Sequence, residues 1–385
     1  MLLQLSANST NLVPTGRLNA TACRPGINFN RITHNARTIV RAFLLVCKTQ
    51  KMKDPQQLKL GITMGDPNGV GPELAYRCVA HCHENGIGLP VVYGSRQALQ
   101  ALPAKLQLGL KVAEISTAED YNKGVLNLRS TDARGYQVNF GVPDPVAGQT
   151  AYKALEAALA DLNAGLLDGI LTLPINKAVI AAAGFPFPGH TEYLADRCGG
   201  QPLMSFVHGG FRLALVTAHL PLREVPAAIT QSLILHKLGL FRQSLEQDFG
   251  LRQPRVAVLG LNPHAGDEGK LGTEEQEIIQ PAIKAAQAEG WHTEGPFPAD
   301  GFFAYGAHLQ YDGILGMYHD QGLVAFKGLT KGAGVNFTAG LPVVRTSPDH
   351  GTAYALAGRG TVDPASTLEA LETLQQVIQT RKRRT

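Results

Sequence analysis

At 385 residues, with 44% hydrophobic and 17% charged side chains, the chain is long enough to bury a full core and too apolar to be disordered. No apolar run reaches about 18 residues, which leaves no candidate membrane-spanning helix, and five cysteines without a regular framework fit a reducing compartment such as the cytoplasm. The net charge of +4 arises in residues 1–51, which hold seven Lys or Arg and no acid; the remainder sets 28 basic against 31 acidic side chains, so no nucleic-acid groove is indicated.

That Arg-rich leader, 1–51, reads either as an organelle transit segment or as upstream sequence before a working start at Met52. The second reading is preferred, because only Ile39 to Cys47 shows core periodicity and the compact pattern begins just after Met52. Either way, 52–385 is expected to be the folded unit.

From Leu58, LKLGITM predicts a buried strand that breaks into Gly65-Asp66-Pro67-Asn68-Gly69-Val70-Gly71-Pro72-Glu73. Proline followed by glutamate marks a helix start there, and the glycines would let backbone N–H groups approach an anion or a nucleotide. Cys78 and Cys82, four apart with His81 and His83 nearby, fit a packed helix face better than a metal site. LPVVYG (89–94) predicts a second strand, the alanine-rich run Ala147 to Leu167 a long helix, and GILTLP another strand opening at Pro174-Ile175-Asn176-Lys177. Phe185 to Glu192 is a proline-stiffened turn that presents His190 and Thr191, the latter equally suited to capping a helix.

Three later strands share one feature: RLALVTA ends at His219, RVAVLGLNP at His264 and DGILGMY at His319. Ligands of open α/β sheets bind beyond the carboxyl ends of strands, so the three imidazoles are candidates to converge on a divalent metal with an open coordination position. Asp320, Asp267 or Glu268 would orient those rings, or are solvated loop carboxylates. Gly272-Thr273-Glu274-Glu275 resembles a cap before an amphipathic helix, and Asp300 in GPFPADGFF suits a turn. The densest chemistry lies in Met317 to Ala353, which carries His319, Asp320, Gln321, Lys327, Asn336, Arg345, His350 and Gly351 among glycines.

Together these stretches resemble the 4-hydroxythreonine-4-phosphate dehydrogenase family of pyridoxal phosphate biosynthesis. The motifs GITMGDPNGVGPE, FPFPGHTEY, TAHLPLRE, GLNPHAGDEGKLGTEE, MYHDQGLVAFK, GVNFTAGLPVVRTSPDHGTA and LAGRG occur in family order from Leu58 to Gly360. The resemblance implies an α/β/α fold akin to the isocitrate and isopropylmalate dehydrogenases, with two α/β lobes, a cleft between them and a homodimer that shares its active site. It implies a divalent metal (zinc, magnesium or cobalt) on His219, His264 and His319, and substrate contacts from His190, Thr191, Lys327, Asn336 and Arg345. By a looser likeness, His350-Gly351-Thr352-Ala353 would hold NAD or NADP. The expected substrate is a phosphorylated hydroxy-amino acid, 4-(phosphooxy)-L-threonine, oxidised and decarboxylated with Lys327 or His190 as general base. Alternatives are a family relative acting on phosphorylated threonate, erythronate or a ring diol, a three-histidine zinc hydrolase, and a non-catalytic phosphate-binding protein.

Overall fold

The computed structural model describes residues 57–384; the reading of 1–51 as a leader lies outside them. Twelve short strands form one sheet: β1 (Lys59–Thr63), β2 (Leu89–Gly94), β3 (Val112–Glu114), β4 (Leu126–Ser130), β5 (Gly169–Thr172), β6 (Leu203–His208), β7 (Phe211–Leu215), β8 (Val256–Leu259), β9 (Thr293–Phe297), β10 (Gly313–Gly316), β11 (Val335–Ala339) and β12 (Arg345–Pro348). Their order across the sheet is β3-β4-β2-β1-β5-β12-β11-β6-β7-β10-β8-β9.

The pairings divide this sheet into two parallel blocks. From β3 to β12 every neighbour is parallel, as is every neighbour from β7 to β9. Between the blocks the pairs β12·β11, β11·β6 and β6·β7 are antiparallel. Three reversals make the second block run opposite to the first.

Continuous apolar runs become strands here because both faces are covered. Successive residues of β8 show it: Val256 and Val258 join one core cluster, Ala257 and Leu259 another. Likewise Leu171 of β5 packs on one side and Ile170 on the other. Helices Gly71–Asn85, Gln231–Gln247, Gln280–Ala288 and Ala365–Lys382 supply one layer, and Pro145–Asn163, His190–Cys198 and His319–Thr330 the opposite one. The α/β/α class is therefore the one expected. Cys78 and Cys82 lie at 0% and 1% exposure inside the first layer, as packed helix residues.

Several boundaries differ from expectation for local reasons. The long helix begins at Pro145, because the Asp144 side chain accepts from Val146 N at 2.9 Å, and it stops at Asn163. Thr191 is not a cap: the helix starts at His190 behind Gly189, with no side-chain cap. Gly272 to Glu275 leads into one π-helical turn, Glu275–Ile279, before the α-helix. The loop after β1 is buried throughout from Met64 to Glu73. Its glycines approach protein backbone and not a ligand: a Cβ on Gly71 would sit 1.9 Å from Met64 O, and one on Gly69 2.8 Å from Thr352 O. No helix among the described residues is long and apolar enough to cross a membrane.

Candidate active site

A cavity of about 260 Å³ opens on the sheet face over the central strands, where the two blocks meet. It gathers seven residues expected from the sequence: His190, Thr191, His219, Asn336, Arg345, His350 and Gly351. Asn336 and Ser347 are register partners across β11 and β12, so both side chains reach the same face. The site therefore lies on the face of the middle strands and beyond the carboxyl ends of β5 and β12, with His219 reaching it from beyond β7.

Arg345 is the electrostatic centre. It is 3% exposed, and its guanidinium donates to Thr172 Oγ1 (2.9 Å), to Thr338 Oγ1 (3.1 Å) and to His190 Nδ1 (3.3 Å). All three partners are neutral, and burial pushes the guanidinium down to about 10. Burial first, then Arg345 and Lys177, hold the His190 imidazole well below its ordinary value. A guanidinium can only donate, so Nδ1 accepts and the proton of the neutral ring is on Nε2. His190 thus offers the cavity an N–H donor.

The three strand-end histidines come from adjacent strands, since β7, β10 and β8 are neighbours in that order. The rings of His219 and His319 lie 5.8 Å apart, and His319 Nδ1 is 2.7 Å from Asp320 Oδ1, which leaves Nε2 outward. These two rings line a second hollow with Tyr318 and Asp320; a third, which shares Tyr318 and Asp320, is lined by His264 and Asp300. Among the described residues no three His, Cys, Asp or Glu side chains are grouped closely enough to hold a metal. The donor chemistry suits one nevertheless, with two imidazoles paired, one of them oriented by a carboxylate, and a third on the neighbouring loop.

The strand ends are tied to each other by residues whose role is not visible in the sequence. Thr217 donates from Oγ1 to Met317 O at 2.7 Å, which joins the His219 end to the His319 end. Gln321 accepts from Met317 N (2.7 Å) and donates to Gly260 O (2.5 Å), which joins the His319 end to the His264 end. From His264 to Glu268 five consecutive residues have positive φ, a left-handed turn. Each non-glycine there costs roughly 1–2 kcal/mol. Glu275 offsets part of that cost: its carboxylate accepts from Leu261 N and Asn262 N at 2.7 Å and from Asn262 Nδ2 at 2.9 Å. Asp267 pairs with Lys270 at 3.4 Å, and among the described residues no hydrogen bond or ion pair joins it to a candidate histidine.

Lys327 lies beside the cavity, whereas the turn His350–Ala353 lines it with its first two residues. Lys327 projects from the helix His319–Thr330 to Asp349, 3.1 Å away, and is absent from the cavity's lining. Thr352 O accepts from Val70 N at 3.0 Å, and Tyr354 donates to Asp66 Oδ2 at 2.5 Å, so the buried loop after β1 anchors this turn. Gly351 meets nothing within 4 Å of an added Cβ, which leaves that side of the turn open. Two further charged residues of the cavity, Lys177 and Glu192, were not singled out as site residues from the sequence.

Residues 87–374 match the family described as pyridoxal phosphate biosynthetic protein PdxA. The chain belongs to the PdxA family. It is a dehydrogenase-type oxidoreductase, like the 4-hydroxythreonine-4-phosphate dehydrogenase of Bacteroides thetaiotaomicron, with which it is 44% identical over 86% of this chain and 91% of that protein. The crystal structure of the 4-hydroxythreonine-4-phosphate dehydrogenase from Klebsiella pneumoniae, another PdxA-like fold, is 32% identical and covers 85% of this chain and all of that one, with a TM-score of 0.73. A terephthalate 1,2-cis-dihydrodiol dehydrogenase from Burkholderia xenovorans, 24% identical with a TM-score of 0.57 over 83% of this chain and 98% of that one, shares the fold alone.

Proposed function

We propose that this PdxA-family chain oxidises 4-(phosphooxy)-L-threonine with NAD or NADP and decarboxylates the product to 3-amino-2-oxopropyl phosphate, in the cytoplasm, as a homodimer whose two subunits share each site. The observation that carries the reading is the buried Arg345, a cation held by neutral partners at the floor of a polar cavity with His190, Thr191 and Asn336. A phosphorylated substrate supplies an anion for Arg345 beyond the Glu192 carboxylate that also lines the cavity, and fixed guanidinium and amide donors are the groups that bind one. In this reading the two parallel blocks of the sheet are the two lobes, and the cavity is the cleft between them.

His219, His264 and His319 would hold a divalent ion, and His350-Gly351-Thr352-Ala353 would receive the adenosine part of the cofactor. When bound, the nicotinamide accepts a hydride and the ion stabilises negative charge developing on oxygen. The chain's own residues orient the rest. Arg345 and Asn336 fix the anionic end of the substrate. His190, neutral and protonated at Nε2, would donate to an oxygen of the substrate, and Lys327, beside the cavity, would take up the hydroxyl proton only as the free amine released from Asp349.

The test follows NADH or NADPH absorbance with the purified chain and 4-(phosphooxy)-L-threonine, with and without a chelator. Turnover that the chelator abolishes supports the reading, and His264→Ala should then remove it while leaving the fold intact. Turnover confined to phosphorylated threonate would move the chain to a sister activity on the same fold. Full activity of His264→Ala without metal would sink the three-histidine assignment.

A further inference from the structure

We propose that Lys177 is the second cation of the anion pocket, acting with Arg345 to select a phosphate at that position; the inference rests on the function proposed above and adds a specificity residue to it. Arg345 brings one positive charge, while a phosphate monoester near neutral pH carries between one and two negative charges. A pocket built for it has room for another cation, and Lys177 is the one that lines this cavity. Lys327, the other candidate, is engaged with Asp349 outside it.

Lys177 shares the Gly189 turn with the Glu192 carboxylate, whose Oε2 lies 3.3 Å from the Cβ position of Gly189, but forms no ion pair with it and adds nothing to its own helix. It is the first residue of the short helix Lys177–Ala182, where a positive charge opposes the helix dipole. The helix start is already satisfied by Asn176, whose Oδ1 accepts from Ala178 N (3.0 Å) and Val179 N (3.1 Å). Among the described residues Lys177 makes no hydrogen bond or ion pair. Its Cε and Nζ lie 3.7 and 4.0 Å from the Cβ position of Gly189, beside the turn that delivers His190 and Thr191. From there its charge reaches both His190 and His219.

Glu192 is the single carboxylate lining the same cavity. Two cations against one carboxylate leave the pocket net positive, with His190 held neutral. Lysine meets phosphate as a point charge, without the planar geometry that arginine demands. Lys177 therefore complements the buried guanidinium in the same cavity from an exposed position.

Titration calorimetry of the full chain with inorganic phosphate, in the presence of a chelator to keep phosphate off any metal, tests this. Lys177→Met is expected to weaken binding at least tenfold and Lys177→Arg less than threefold. Lys284→Met, which removes the same charge from an exposed remote helix, should keep the wild-type affinity. Phosphate binding by Lys177→Met equal to wild type, or no wild-type binding at millimolar phosphate, overturns the proposal. In turnover assays Lys177→Met should raise KM for the phosphorylated substrate while kcat and the KM for the cofactor stay close to wild type. Should phosphate binding depend on Lys177 while no phosphorylated hydroxy-amino acid is oxidised, the anion site stands and the proposed reaction falls.

Discussion

The loop after β1 and the loop after β8 are both rich in glycine and both follow a buried strand, yet they are packed in opposite ways. In the first, Asp66, Asn68 and Glu73 are at most 2% exposed, and glycines let backbone pass against backbone. In the second, His264, Asp267 and Glu268 are exposed on a left-handed turn held from below by Glu275. Glycine content alone does not separate a ligand loop from a structural one. What separates them is whether protein atoms already occupy the space a side chain would take.

Substitutions can break that comparison. The largest effect is expected from Gly71→Ala, whose Cβ would meet Met64 O at 1.9 Å; a loss of about 3 kcal/mol or more should appear in urea unfolding, and a soluble variant with wild-type stability would contradict the close packing. Next comes Glu275→Ala. It strips Leu261 N and Asn262 N of their acceptor while Asn262 Nδ2 keeps Glu274, and because these groups are half-buried water recovers part of the loss, giving about 2 kcal/mol with activity falling further as the His264 turn relaxes. Glu275→Gln, which keeps an acceptor oxygen, should recover part of both.

His190 gives a smaller, pH-dependent effect. Its folded-state pKa is depressed, so below about 6.5 the unfolded chain takes up a proton that the native state refuses. Stability from this group is present above that pH and is lost as pH falls, by at most about 1.4 kcal/mol per pH unit. His219 is shifted the same way. His190→Asn should flatten the fall of stability measured by denaturant titration between pH 6.5 and 5; an unchanged slope would show that the imidazole is protonated in the native state. Smallest is Gly351→Ala, which meets open space and should change stability by less than about 0.5 kcal/mol. A rise in the KM for NAD or NADP without loss of stability would then mark that side of the turn as the face a cofactor approaches.

The chain itself made much of this legible. Continuous apolar runs bounded by Gly and Pro located β1, β2, β5, β8 and β10 to within a few residues, because strands buried on both faces need no alternation. The shared ending of three strands in histidine marks His219, His264 and His319 in the sequence alone. Less visible were the roles of Thr217, Gln321 and Glu275, which look like ordinary loop and helix polar residues until the partners they tie together, 13 to 100 positions away, are in place.

What the sequence determined by itself was local: which stretches are apolar enough to be strands, which helices have a proline start, and which residue types carry chemistry. Tertiary structure decided the rest, because side-chain roles depend on partners distant in the chain. It filled the loop after β1 with backbone, aligned β7, β10 and β8 so that their ends meet, and ran the two blocks of the sheet in opposite directions. It also set Lys327 against Asp349 and left Lys177 over the cavity, a distinction that two lysines in a sequence do not carry.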